Sequence, residues 1–271
     1  MGMELQVSAQ VDAVAQAFVS ARRAARVLSA YPGIAPDALD AAYSIQDRAI
    51  HIDGRPVVGW KVGRINPPLD ATLGANRLSG PVFADDVVDA IAGVLPEMPV
   101  FEGGFAAGEA EILLHVAPGF SGPVPTDDDG TRAILDDVRL GIEIASSPYA
   151  RINLDGPAVT VSDFGNNAGL VRGAELNGWR ETDLCAIVVR SEVNGVEVGQ
   201  ATAATMLDGP YGAVRFLLAN LIQRGFDVSN GLWVSTGAIT GVHEIAVGQT
   251  FRAEFVGHGD VHCRVVAATP R

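Results

Sequence analysis

The segment Glu109-Ala110-Glu111-Ile112-Leu113-Leu114-His115-Val116 joins two carboxylates to an uninterrupted apolar run. A short apolar run of this kind is typical of a buried β-strand, and we predict a strand over residues 110–116. Because side chains alternate between the two faces of a strand, Glu109 and Glu111 lie on the same face. Two neighbouring negative charges are unfavourable unless a cation lies between them, or unless the strand is a solvated edge.

A third carboxylate is expected in the protein interior. Glu143 lies within Leu140-Gly141-Ile142-Glu143-Ile144, which is apolar on both sides. An unpaired glutamate is costly in such surroundings, so Glu143 needs a partner. That partner is either an arginine in a structural salt bridge or a divalent ion shared with Glu109 and Glu111. Three oxygen ligands without a nearby histidine favour Mg²⁺ or Mn²⁺ over zinc.

The chain contains 19 basic residues, and Lys61 is its only lysine. Arginine serves as the cation everywhere else, so a position that retains lysine is a candidate for chemistry. An ammonium group is compact and its pKa responds to burial, whereas a guanidinium is a broad fork that stays charged. The alternative is a lysine that extends to solvent from a strand edge.

The order of the remaining patterns predicts an α+β fold. Apolar residues recur at helical spacing over 8–29 and 36–53, so the portion 1–56 is expected to be helical, and a later helix is expected over 210–224. The body, 57–271, is β-rich, and Asn194-Gly195 predicts a tight hairpin. No linker divides the chain, which predicts one domain over 1–271. Strands are predicted at 57–63, 110–116, 139–145, 158–162, 185–193, 196–200, 232–236, 250–256 and 261–267.

Charge and composition argue against several classes of partner. A formal charge of −13 and a pI near 4.7 would repel nucleic acid and anionic membranes. The sequence has no uncharged membrane-spanning run, and its start lacks the pattern of a secretory signal, so a cytoplasmic location is expected. The sequence also lacks phosphate-binding and dinucleotide fingerprints, so an organic cofactor is not implied.

Several motifs together resemble one known family. Gly59-Trp60-Lys61-Val62-Gly63, Glu109-x-Glu111 and Ile142-Glu143-Ile144 occur in the order found in the 2-oxo-4-pentenoate hydratase group of the fumarylacetoacetate hydrolase superfamily. The resemblance continues through the segments 163–173, 207–210 and 234–240. It implies a mixed β-roll core of the fumarylacetoacetate hydrolase type.

The resemblance also implies a site and a reaction. Glu109, Glu111 and Glu143 would hold Mg²⁺ or Mn²⁺, and a 2-oxo acid would chelate that ion. Lys61 corresponds to the active-site lysine of the family. In hydratases of this type a 2-hydroxy-2,4-dienoate is ketonised and hydrated to a 4-hydroxy-2-oxo acid, with the ion stabilising the enolate. Asn166 and Thr236 of the matched segments, and Arg64 directly after the lysine motif, are expected to contact the substrate.

The sequence departs from the hydratase pattern at three places, which leaves the reaction open. Residues 64–68 replace the Leu-Thr-Ser that usually follows the lysine motif, Asn166-Asn167 replaces a serine pair, and Asp208-Gly209 replaces a histidine. Decarboxylation of a 2-oxo-3-enedioate is the close alternative, because Arg64 or another arginine could bind a second carboxylate. Carbon–carbon bond hydrolysis and a non-catalytic partner subunit are further alternatives.

The resemblance finally implies a particular pattern of assembly. Edges of a β-rich body need protection, and members of the family form oligomers built from dimers, so we expect a homo-oligomer. Association with a decarboxylase of the same pathway is a further expectation.

Overall fold

The computed structural model describes residues 2–271, with side chains described from Ser8 onward. Helices are α1 Gly2–Arg23, α2 Leu39–Asp53, α3 Leu69–Leu73, α4 Asp128–Ala133, α5 Pro157–Ser162 and α6 Gly209–Gln223. Strands are β1 Val57–Arg64, β2 Arg77–Phe83, β3 Val87–Asp89, β4 Glu97–Val100, β5 Phe105–Val116, β6 Leu135–Ser147, β7 Asn167–Glu175, β8 Val188–Val193, β9 Val196–Thr202, β10 Leu232–Ser235, β11 His243–Glu244, β12 Thr250–Phe255 and β13 Gly259–Ala267. The chain is therefore α+β, as the sequence predicts.

The larger sheet is mixed and curls upon itself. Its strands follow the order β2-β1-β10-β5-β6-β7-β3, and β11 pairs with β5. β1 and β10 are parallel, whereas β5 pairs antiparallel with both β10 and β6. Although β2 and β7 lie near opposite ends of this order, they approach each other, and Val82, Leu113 and Leu170 form one small buried cluster inside the curl.

The two faces of this sheet have different surroundings. On one face the alternate residues Ala110, Ile112, Leu114 and Val116 of β5 join the main apolar core, together with side chains of α6 and of the second sheet. That second sheet has the order β4-β13-β12-β8-β9. The opposite face of β5 carries Glu109, Glu111 and Leu113 into the interior of the curl.

The N-terminal helices pack against the curled sheet and secure one of its loops. Arg22, at the end of α1, forms a buried pair with Asp163, with its Nε 2.6 Å from Oδ1. Its guanidinium also donates to the backbone oxygens of Ser146 and Asn167, both at 3.0 Å. Helix α1 thus holds the segment between α5 and β7 in place.

The structure corrects several details predicted from the sequence. Residues 158–162 form helix α5 and not a strand, because Pro157 begins a helix well and all five following side chains are buried, so tertiary packing overrides their β-branched character. Helix α1 ends at Arg23, and Leu28 instead bridges to Tyr149. Strands β2 and β7, which contain glycines, were not predicted.

Other local predictions agree with the structure. Asn194 and Gly195 connect β8 to β9 with φ values of 50° and 76°, as a type I′ hairpin requires. Helix α6 spans nearly the range predicted for it. Across residues 2–271, no helix has both the length and the apolar character needed to cross a bilayer.

Replacing Arg22 should be far more costly than replacing a comparable exposed arginine. Arg22→Met leaves the Asp163 carboxylate, whose side chain is 0% exposed, without its cation, and should cost about 3–5 kcal/mol of unfolding free energy. Arg48 pairs with Asp12 at the same 2.6 Å, but these side chains are 40% and 52% exposed. Arg48→Met should cost about 1 kcal/mol or less. Urea unfolding checks both values, and equal losses in the two variants would contradict this account.

Candidate active site

Three glutamates meet where β5 pairs with β6. Glu109 lies directly opposite Glu143, and Glu111 is the next residue on the same face of β5. All three are buried, with Glu111 and Glu143 fully inaccessible and Glu109 4% exposed. One carboxylate oxygen from each lies within 4.8 Å of the others. The structure thus brings together the three carboxylates that the sequence selected.

The hydrogen bonds of this triad leave part of it unsatisfied. Glu111 accepts from the Ser235 hydroxyl and, at 2.9 Å, from the Gly237 backbone N–H. Glu143 accepts from the Asn167 amide at 2.9 Å. The second oxygens, Glu111 Oε1 and Glu143 Oε2, are buried without a hydrogen-bond partner among residues 8–271. Since an unsatisfied buried carboxylate oxygen is costly, the donor set fits a hard divalent cation.

Lys61 is the positive charge of the site. The parallel pairing of β1 with β10 places it beside Ser235, and its side chain is only 5% exposed. Its Nζ lies 3.3 Å from Glu143 Oε1 and donates to Asn166 Oδ1 at 3.5 Å. One ammonium opposes three carboxylates, so the cluster carries excess negative charge when all are ionised.

Electrostatics in the cluster are dominated by burial. Burial raises the pKa of Glu109 to about 7, although the charge of Lys61 opposes this. Burial, followed by the charges of Glu143 and Glu109, raises the pKa of Glu111 well above its ordinary value. Burial by itself would lower the pKa of Lys61, but the three carboxylates outweigh it and raise that pKa. In the absence of another cation, the carboxyl groups of Glu109 and Glu111 therefore keep their protons to a higher pH than ordinary glutamates do.

A left-handed turn fixes Asn166 over Lys61. Phe164, Gly165 and Asn166 have successive φ values of 55°, 60° and 56°. A non-glycine residue pays of order 1 kcal/mol or more in this region, so the surrounding packing must maintain the turn. Gly80 permits the close approach, because a Cβ there would lie 2.0 Å from the Phe164 carbonyl oxygen.

A cavity of about 760 Å³ opens beside the cluster. Lys61 and Glu109 form part of its wall, as do the three residues expected to contact substrate, Arg64, Asn166 and Thr236. Arg64 is exposed and donates to the Thr205 carbonyl at 3.4 Å. The buried Thr236 hydroxyl already donates to the Ile112 carbonyl at 2.8 Å.

Sequence reasoning missed several residues that complete the site. Ser235 and Asn167 bond the carboxylates, but long-range strand pairing brings them there, and no local pattern shows it. Asn153 bonds the Asn166 amide at 2.9 Å. Arg77 lines the cavity and was overlooked because Gly80 and Pro81 made β2 look like a loop. A proline is tolerated there because β2 is an edge strand. The position of β2 in the chain, shortly after the lysine motif, was the one sequence signal that could have indicated this strand.

The curled mixed sheet that carries the glutamate triad and the lysine has the fold of solved structures in the fumarylacetoacetate hydrolase superfamily. The resemblance to its 2-oxo-4-pentenoate hydratase group is confirmed by relatives named as hydratases and decarboxylases. The chain is 26% identical over 269 residues to 4-oxalocrotonate decarboxylase of Pseudomonas putida, covering 96% of this chain and 97% of the relative. It is 25% identical over 257 residues to 2-keto-4-pentenoate hydratase of Paraburkholderia xenovorans, covering 93% of each.

A solved structure agrees over nearly the whole fold. The 4-oxalocrotonate decarboxylase from Pseudomonas putida G7, complexed with magnesium and adipate, superposes with a TM-score of 0.78 at 23% identity. The match covers 96% of this chain and 98% of that one. No protein-family model matches the chain. These relatives are enzymes of more than one reaction, so the similarity shows the fold and supports the general enzyme class without selecting a reaction.

The raised pKa of Glu109 predicts a pH-dependent stability in protein freed of metal. Its folded pKa of about 7 lies above the ordinary 4.5, so this group makes the folded state less stable as pH rises from 5 to 8. Glu109→Gln removes this penalty and should gain stability relative to wild type as pH rises. Thermal unfolding of both proteins at pH 5 and pH 8 checks the difference, and a difference independent of pH would refute it.

Proposed function

We propose that this protein is a divalent-metal-dependent lyase that forms the enolate of a 2-oxo acid. The observation that carries the proposal is the pair of buried, unpartnered oxygens in the glutamate triad, next to Lys61 and beside a cavity of about 760 Å³. A triad that served only structure would be expected to have its charges matched by arginines, and here one ammonium faces three carboxylates.

Glu109, Glu111 and Glu143 would hold the cation, and their oxygen donors suit Mg²⁺ or Mn²⁺. The magnesium in the related decarboxylase structure supports this choice. When bound, such an ion polarises the 2-oxo group and stabilises negative charge on its oxygen. It would also remove the repulsion among the three glutamates, which links metal binding to stability.

Lys61 has the role of a hydrogen-bond donor in this proposal. An ammonium has three donors and no acceptor, and here it lies between Glu143 and Asn166 at the cavity wall. A remaining N–H can donate to the 2-oxo oxygen or to the adjacent carboxylate of the substrate. Asn166 holds Lys61 in place, and its own amide is fixed by Asn153. Because Lys61 is buried, solvent screens these contacts less than it would at the surface.

For the reaction itself, we propose hydration of a 2-hydroxy-2,4-dienoate to a 4-hydroxy-2-oxo acid. This reaction needs the enolate, a water molecule and a cavity large enough for the carbon chain. The named hydratases among the relatives support it.

Decarboxylation of a 2-oxo-3-enedioate is the second candidate, and one observation favours it. Two arginines, Arg64 and Arg77, form part of the cavity wall, where they could bind a second carboxylate. Hydrolysis of a carbon–carbon bond is less well supported. That reaction would use a histidine–glutamate pair to activate water, and none of the five histidines, all within the described residues, lines the cavity.

Association of chains is a separate part of the proposal. β9 lies at the end of the second sheet and carries exposed Val196 and Val198, so this edge is suited to contact another chain. A homo-oligomer would protect this edge, and association with a decarboxylase of the same pathway is the alternative. Light scattering at micromolar concentrations would show a mass above 28.2 kDa, and a monomer would contradict the proposal.

Enolisation can be tested without knowing the natural substrate. In deuterium oxide, the protein with Mg²⁺ should exchange the C3 protons of a simple 2-oxo acid, followed by NMR, and chelation should stop the exchange. Lys61→Arg should lower the rate at least about tenfold, a barrier increase of roughly 1.4 kcal/mol, because the wider guanidinium cannot occupy the ammonium position. Full exchange by a folded Lys61→Arg variant would remove the role assigned to Lys61.

The reaction can then be identified by mass. Incubation with a panel of 2-hydroxydienoates and 2-oxo-enedioates should give a product heavier by water if the protein is a hydratase. Loss of carbon dioxide would establish the second candidate, and chain cleavage would overturn both. Glu143→Gln is the matched control. It replaces one carboxylate oxygen of the triad by an NH2 group and should abolish formation of every product.

A further inference from the structure

Arg77 is a buried cation in the cavity wall with few partners. It begins β2, its side chain is 7% exposed, and it lies at the cavity. Within residues 8–271 its one ion pair is with Asp208, where Nη2 and Oδ1 are 2.5 Å apart. Within residues 8–271 its side chain has no further hydrogen bond or ion pair. A guanidinium has five donors, so Arg77 retains capacity to bind another anion.

Asp208 has other groups to stabilise it if Arg77 changes partner. It is 53% exposed, and its second oxygen lies 3.3 Å from Arg215. Its carboxylate also packs directly over Gly212 in the first turn of α6, where the helix dipole favours a negative charge. Asp208 can therefore lose contact with Arg77 at little cost, whereas Arg77 needs a replacement anion.

Arg77 and Lys61 border the same cavity at different points along the β1–β2 pair. Arg77 lies opposite Arg64 in the β1–β2 pair, three residues beyond the Lys61–Gly80 pair. At about 3.3 Å per residue, the backbone positions of Lys61 and Arg77 are roughly 10 Å apart along the strands. Because this separation is an odd number of residues, the two side chains leave opposite faces of the β1–β2 ribbon, and both border the cavity. With bonds of about 1.5 Å, an extended chain of roughly six carbons spans about 6 Å, and ion-pair contacts of about 3 Å extend each end.

The cavity that both cations border also has apolar side chains in its wall. Leu78 follows Arg77 on β2, and Leu69, Met206 and Leu207 also line the cavity. A carbon chain bound in the cavity can contact these apolar side chains, and a charged group at its end needs a cation. Since the protein carries a net charge of −13, a dianionic ligand would be repelled without a dedicated positive group.

We propose that Arg77 binds the distal carboxylate of a dicarboxylic 2-oxo acid, displacing Asp208, which remains beside Arg215. This inference rests on the proposed function and narrows its substrate to a 2-oxo diacid. Arg77 then determines substrate specificity, and Asp208 is the anion that occupies Arg77 when no substrate is bound. Both hydration and decarboxylation remain compatible with such a substrate.

Two saturated ligands test the proposal because they differ only at the far end. 2-Oxoadipate and 2-oxohexanoate share a six-carbon chain and the 2-oxo acid group, and only the former has a distal carboxylate. Calorimetric titration of the Mg²⁺-loaded protein should show at least about tenfold tighter binding of 2-oxoadipate, as expected for a charge-assisted pair. Arg77→Gln should abolish that preference while leaving 2-oxohexanoate binding within about twofold.

The variant Asp208→Asn separates recognition from a structural role. Removing the competing anion should strengthen 2-oxoadipate binding and leave 2-oxohexanoate binding unchanged. If the ion pair only fastens the loop before α6, both variants should weaken both ligands equally, which would overturn the proposal. If Arg77→Gln does not fold, Asp208→Asn alone tests the proposal. An unchanged preference for 2-oxoadipate in that variant would contradict competition between Asp208 and the distal carboxylate for Arg77.

Failure of the underlying function has a different signature. If neither ligand binds in a Mg²⁺-dependent manner and neither exchanges its C3 protons, the proposed function fails, and the assignment of Arg77 fails with it. If both ligands bind and exchange equally well in wild type, the enolising function stands and only the role of Arg77 is refuted.

Discussion

The structure depends on the burial of three carboxylates against a single ammonium at the β5–β6 pair. Glu109 and Glu143 face each other across the pair, and Lys61 reaches the same point from β1. Such a cluster is unfavourable by itself, because desolvation and mutual repulsion both oppose ionisation. Its geometry is nevertheless held firmly by Ser235, Gly237 and Asn167. Hydrogen bonds that hold three carboxylates together in spite of their repulsion are expected where a cation binds.

The outer parts of the fold maintain this arrangement from a distance. The left-handed turn at 164–166 places Asn166 over Lys61, and Gly80 gives the turn room to approach β2. The buried pair of Arg22 with Asp163 then fastens the base of the turn to helix α1. Strain at the site is thus compensated by ion pairing and packing elsewhere, as expected where function requires unusual backbone conformations. From Ser8 onward, the N-terminal helices contribute to the site without lining its cavity.

Local patterns predicted the parts of the molecule that local forces determine. The two-residue period placed Glu109 and Glu111 on one face, and the Asn194-Gly195 turn produced its hairpin. Contacts between distant segments could not be predicted. The parallel pairing that sets Ser235 beside Lys61 depends on the whole sheet, and burial on all sides made residues 158–162 helical despite their strand-like composition. Arg77 was not predicted as a site residue because its strand contains glycine and proline, which are unusual in strands. Its place in the cavity wall also depends on contacts that form only in the folded chain.

The central claim is that Glu109, Glu111 and Glu143 bind one divalent ion, and anomalous diffraction from crystals grown with Mn²⁺ tests it most directly. The account predicts a single strong manganese peak with an oxygen of each glutamate at about 2.0 to 2.6 Å, including the two oxygens that have no partner in the present structure. A manganese peak elsewhere on the protein, or no peak at the triad under saturating Mn²⁺, would contradict it.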